Sequence, residues 1–206
     1  MESNWATEHL QVIRTLMERA AVYRRALAPI MLFVGVMGML AAVAGIALRV
    51  EASRAFGGLW LATAMVVVAG AFVIARRQAL QDHEPFWSPP TRRVAQALLP
   101  PLVAGLLSSL ILLVFDVGHL RRLFIFPNVL FYGCAVHSAG FFMPRGMKLF
   151  AWFFIALGGV ALLVTSLMQA DPNPALDHAL MGFFFGVLHL AYGAYLYLTE
   201  KGKNAA

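Results

Sequence analysis

Apolar residues fall into six long uninterrupted runs, at about 27–48, 59–75, 94–115, 123–143, 149–168 and 179–198. A helix needs roughly 20 such residues to cross ~30 Å of hydrocarbon. The runs are continuous rather than alternating, which predicts helices and not barrel strands. The second run is the shortest, and its start can extend through 55–58. The fourth is the most polar, holding Asn128, Tyr132, Cys134, His137 and Ser138.

Ahead of the first run, residues 4–26 repeat on a helical period. Leu10, Ile13, Met17, Ala20 and Ala21 make one apolar stripe, with Glu8, Gln11, Thr15 and Glu18 opposite. An amphipathic helix capped by Ser3 or Asn4 is expected there. Such a helix lies on the inner leaflet, or docks a cytosolic partner or a second copy of the chain. The expected organisation is a cytoplasmic helix at 1–26, a six-helix transmembrane bundle at 27–199 and a short tail at 200–206.

Composition agrees with the pattern. Of 206 residues, 61% are hydrophobic and only 13% charged, against about 45–50% and about 25% in soluble domains. Too few charges remain to cover a water-facing surface, so a disordered chain, a disulfide scaffold, a collagen-like chain and any large extramembrane domain are all excluded. Cys134 is the single cysteine, so neither an intramolecular disulfide nor a thiolate zinc cluster within one chain is possible.

The net charge of +6 reads as an orientation signal rather than a nucleic-acid footprint. With the N-terminus inside, the inner segments hold Arg14, Arg19, Arg24, Arg25, Arg76, Arg77, Arg92, Arg93, Arg145, Lys148, Lys201 and Lys203. The outer segments hold only Arg49, Arg54, Arg121 and Arg122. This asymmetry predicts both ends inside, with the lipid bilayer of a bacterial inner membrane as the expected location.

The polar features are few. Residues 76–93 form the longest expected loop, bracketed by arginine pairs and stiffened by Pro85, Pro89 and Pro90. Phe86 and Trp87 in it are either interfacial anchors or docking residues. Pro100-Pro101 should kink the third span and free carbonyls near Gln96 and Ala97.

Inside the membrane, His137, His189, Cys134 and Asn128 are the candidates, because ionisable groups there usually face the bundle interior. Gly182, Gly186, His189 and Gly193 share a face at helical spacing, which places His189 in a small-residue groove against another helix. Each histidine then serves as interhelical glue, lines a proton or substrate path, or ligates haem or a metal. On the outer side, Asp116, His119, Asp171, Asp177 and His178 are either caps or cation ligands, with Asp177 expected to cap the sixth span.

The chain has no phosphate-binding loop, no G-x-S-x-G elbow and no H-E-x-x-H. The leading expectation is therefore a non-enzymatic sensing or scaffolding module, with the cytoplasmic face as its output. A small transporter with a path lined by the fourth span and His189 is the alternative, and a haem or metal redox protein the third. No cofactor and no catalytic residue is expected under the leading reading.

Overall fold

The computed structural model describes residues 26–83, 85–115, 121–143, 146–168 and 173–204. The expected N-terminal helix, with Leu10, Ile13 and Met17, lies outside them. So do Asp116, His119 and Asp171.

The described structure is helical, with no strand among the described residues. It runs α1 Ala26–Ala47, α2 Ser53–Gln81, α3 Pro89–Phe115, α4 Arg121–Ala139 and α5 Gly146–Met168. The last rod is α6 Pro174–Met181, a π turn Gly182–Val187 and α7 Leu188–Asn204, with helical dihedrals through both junctions. Five helices are long and apolar enough to cross a membrane: Ala26–Ala47, Ser53–Gln81, Pro89–Ile111, Gly146–Leu167 and Pro174–Thr199. The protein is thus a multi-pass membrane protein by the length and composition of its helices.

Three differences from the expected boundaries have local causes. The expected loop 76–93 shrinks to 82–88, because Arg76, Arg77, Gln78, Ala79, Leu80 and Gln81 extend α2. These are mostly good helix formers, and Pro89 starts α3 at a position where a missing amide costs nothing. The fourth run was expected to reach residue 143, but α4 ends at Ala139. The chain turns there through the Gly140 amide on the Val136 carbonyl (2.8 Å) and the Phe142 amide on the Ala139 carbonyl (2.9 Å), leaving Phe124–Ala139 as its apolar stretch. The last rod begins earlier than 179, at Pro174. Its cap is Asn173, whose side chain accepts the Leu176 amide at 3.2 Å, and not Asp177, which lies inside the first turn.

α4 occupies the middle, packed along α3 on one side and α5 on the other. Its Ile125, Phe126, Val129 and Ala135 are fully buried. α2 is the most peripheral helix, burying only Phe56, Gly57, Trp60 and Ala79. Met65 and Val68 on α2, Leu107 on α3 and Leu163 on α5 are exposed, as a hydrocarbon solvent permits.

The tightest seam joins α1 to the last rod. A β-carbon on Gly35 would stand 2.7 Å from the Leu190 amide nitrogen, and one on Gly38 would stand 2.5 Å from the Phe185 carbonyl carbon and 2.8 Å from the Gly186 nitrogen. From the other side, Gly193 meets the Leu32 amide (2.9 Å), Gly186 meets Met39 (2.6 Å to sulfur, 3.1 Å to the amide) and Gly182 meets the Ala42 methyl (2.6 Å). Without a hydrophobic drive between helices in lipid, such backbone approach supplies the packing energy.

α1 closes with the Val50 amide on the Gly45 carbonyl (2.9 Å) and Arg49 at φ +50°. That is a left-handed C-terminal cap of the kind glycine usually fills, and it turns the Val50 carbonyl back toward the bundle.

The seam predicts an ordering of glycine substitutions. Gly38→Ala should lower thermal stability in detergent by about 1–3 kcal/mol, since its methyl would meet backbone that cannot rotate away. Gly58→Ala and Gly159→Ala, with nothing within 4 Å of the added carbon, should be neutral or gain up to about 1 kcal/mol of helix propensity. Equal melting temperatures for all three variants would contradict the seam.

Candidate functional site

His189 is fully buried and joins three elements. Its Nδ1 lies 3.0 Å from the Phe184 carbonyl, and its Nε2 lies 2.7 Å from the Tyr132 hydroxyl of α4. A carbonyl only accepts, so Nδ1 carries the proton. Nε2 then offers its lone pair, and Tyr132 donates to it. One neutral tautomer satisfies every partner.

Aromatic rings enclose the imidazole. Phe185 stacks on it at 6.1 Å and 18°, while Phe150 and Phe154 of α5 present edges at 5.1 and 5.4 Å. Edge-to-face pairs of this kind contribute roughly 0.5–1.5 kcal/mol each beyond burial. Ligation of a haem iron or metal through Nε2 would require displacing Tyr132.

Gly182, Gly186 and Gly193 meet Ala42, Met39 and Leu32 of α1, whereas His189 bonds to Tyr132 of α4 and packs on Phe150 and Phe154 of α5.

A second buried histidine sits near the far end of the same rod. His178 Nε2 donates to the Val50 carbonyl at 3.0 Å, and Nδ1 accepts the Trp60 indole N–H at 3.2 Å. Phe56 lies against the ring at 4.6 Å. Gly45 leaves room for the imidazole, since a β-carbon there would come within 2.7 Å of Nε2. Asp177 beside it is equally buried. The expected alternative of an outer cation site finds His178 already bonded at both nitrogens. Among the described residues, no three His, Cys, Asp or Glu gather as metal ligands.

Asn128 has a separate partner. Its Nδ2 donates to the Ser109 hydroxyl at 2.9 Å and to the Phe124 carbonyl at 2.6 Å. Ser109 is fully buried and also lies 2.8 Å from the Gly105 carbonyl. The pair joins α3 to α4 beyond Pro100 and Pro101, through which α3 continues. His137 is half-buried between the rings of Phe141 (5.5 Å) and Trp152 (5.4 Å). Cys134 is exposed on α4 and takes no part in the His189 cluster. In the 82–88 turn, Phe86 packs on Phe72 of α2 at 4.9 Å, while Trp87 is 62% exposed.

The structure thus brings His189 to α4 and Asn128 to α3, and leaves His137, Cys134 and the adjacent Phe86 and Trp87 apart from them. Sequence reasoning passed over Trp60 and the role of Tyr132. A buried indole or phenol needs a polar partner: the phenol finds the intramembrane candidate His189, and the indole finds His178, which the sequence placed on the outer side.

Compared with known proteins, the chain matches no family model, no curated protein and no solved structure.

The Tyr132–His189 bond is testable by a double-mutant cycle. Tyr132→Phe alone should cost about 1–3 kcal/mol, because it leaves a buried nitrogen unsatisfied. His189→Phe alone should cost a similar amount. The double variant should cost less than the sum by about 1 kcal/mol. Strict additivity in denaturation measurements would show that the two groups do not interact.

Proposed function

We propose that the protein is a non-enzymatic membrane module that crosses the bilayer six times with both termini on the cytoplasmic side, and docks a partner through that face. α4, with 19 residues, extends about 28 Å at 1.5 Å per residue, close to the ~30 Å hydrocarbon thickness. The basic asymmetry supports the orientation.

The observation that carries the docking reading is the division of labour in the 82–88 turn. Phe86 packs on Phe72, and Trp87, with its ring 6.4 Å from that of Phe86, is exposed between Pro85 and Pro89. An exposed tryptophan is a frequent interface anchor. The two buried histidines support the same reading, because each is bonded at both ring nitrogens and serves as glue between helices.

A small-solute transporter is the competing reading. The Asn128–Ser109 pair between α3 and α4 is the feature that favours it.

Trp87→Ala should weaken partner binding about 30-fold, the equivalent of about 2 kcal/mol, with no change in melting temperature. Photocrosslinking from residue 86 or 88 in cells, followed by affinity measurement on the captured complex, reads this. Crosslinks that persist unchanged in Trp87→Ala contradict docking. Solute flux in proteoliposomes that disappears in Asn128→Ala favours transport instead. Reporter fusions after Ala206 and at Asn173 should report cytoplasmic and external locations respectively.

A further inference from the structure

Four arginines flank the 82–88 turn. Arg76 and Arg77 directly follow the second apolar run, and Arg92 and Arg93 directly precede the third. All four are exposed, and all four lie on formed helix, two near the end of α2 and two in the first turns of α3. Phe86 on Phe72 ties the turn to α2 at 4.9 Å. Ser88 is buried and shares a hydrogen bond with the Thr91 hydroxyl at 2.9 Å where α3 begins.

Other basic groups of the bundle are used inside it. Arg54 donates to the Val114 carbonyl at 3.3 Å, and the Lys148 ammonium sits 3.6 Å over the Phe141 ring. Among the described residues, by contrast, no carboxylate or carbonyl pairs with the guanidinium groups of Arg76, Arg77, Arg92 or Arg93. Asp82, the acidic residue at the end of α2, accepts from the Gln78 amide at 3.0 Å. The turn therefore carries a cluster of cations without an internal counter-charge.

Their depth selects the ligand. A headgroup layer adds roughly 5–7 Å beyond each side of the hydrocarbon. From Arg76, at the end of its apolar run, α2 continues to Gln81, a rise of about 7.5 Å. The arginines thus stand level with lipid phosphates, and the helix end above them spans the headgroup layer. Guanidinium groups bind phosphate oxygens in pairs, and basic clusters at the ends of membrane helices bind anionic headgroups. A choline headgroup brings its own cation into a site that already holds four.

We propose that Arg76, Arg77, Arg92 and Arg93 form a binding site for anionic phospholipid headgroups of the leaflet that the turn crosses. The site does not depend on what Trp87 docks, and its test reads neither partner capture nor flux.

The test titrates full-length protein in detergent with phosphatidylglycerol or phosphatidylcholine and counts bound lipid by native mass spectrometry. Phosphatidylglycerol should bind at least about 10-fold more tightly, because each basic residue at an anionic surface contributes roughly fivefold. Arg76→Gln with Arg77→Gln should reduce the preference, as should Arg92→Gln with Arg93→Gln. Replacing all four by Gln should abolish it. Lys148→Gln should keep it, since that ammonium is engaged on Phe141. Melting temperatures in phosphatidylcholine should match across the variants, and a drop in the arginine variants would reveal a structural role and overturn the site. Inorganic phosphate in excess should not compete. Competition by it would mean a free-phosphate site and overturns the proposal. So does a preference that survives loss of all four arginines, or one that Lys148→Gln removes. Equal binding of the two lipids overturns it as well and leaves the arginines to an acidic protein surface.

Discussion

Everything in the bundle depends on how closely two backbones approach. In hydrocarbon every peptide group must be satisfied inside its own helix, so helices attract one another chiefly by contact. α1 and the last rod achieve that contact by removing side chains from both faces, at Gly35, Gly38 and Gly45 on one and Gly182, Gly186 and Gly193 on the other. This closeness makes room for the His178 ring over Gly45 and fixes the π turn against Gly38. From those two placements follow the bonds to Trp60, Val50 and Tyr132. The polar interior is thus a consequence of the apolar seam, although its bonds then hold α2, α4 and the last rod in register.

Much of this was legible in the chain. Helical class and span positions follow from run length and continuity, since the bilayer imposes both. The small residues at 182, 186 and 193 were visible as a stripe. The partner stripe on α1 was equally readable, at spacings of 3 and 7, but only pairing the two stripes reveals the seam. Boundaries moved where helix-forming residues outlasted the hydrophobic run, as at 76–81, or where a turn cut it short, as at 140–143. The π turn at Gly182–Val187 was not legible. A π turn is a one-residue offset with no compositional mark, because Gly182-Phe183-Phe184-Phe185-Gly186-Val187 suits an α-helix just as well. What accompanies it is tertiary: an imidazole that bonds the Phe184 carbonyl, and a tyrosine on another helix that bonds that imidazole.

The two histidines also show how one residue type is used alike at two places. Each donates to a backbone carbonyl and accepts from the polar tip of an aromatic residue on another helix, Trp60 in one case and Tyr132 in the other. The acceptor in each case is a carbonyl at an irregular point of the backbone, the left-handed exit of α1 and the π turn of the last rod. Irregular backbone within a bilayer survives only where protein groups satisfy it, and here imidazoles do so.

The seam joins the first described helix to the last, with Gly38 and Gly186 about 150 residues apart. At ~5–20 residues per second of synthesis, α1 waits on the order of ten to thirty seconds before its partner emerges from the ribosome. Throughout that interval the glycine face it meets on the last rod has not been made, and α4, at the centre, has α3 and α5 to pack against. Synthesis therefore supplies the middle of the bundle before its tightest contact, and a chain cut short before residue 174 holds the central helices without the partner of α1.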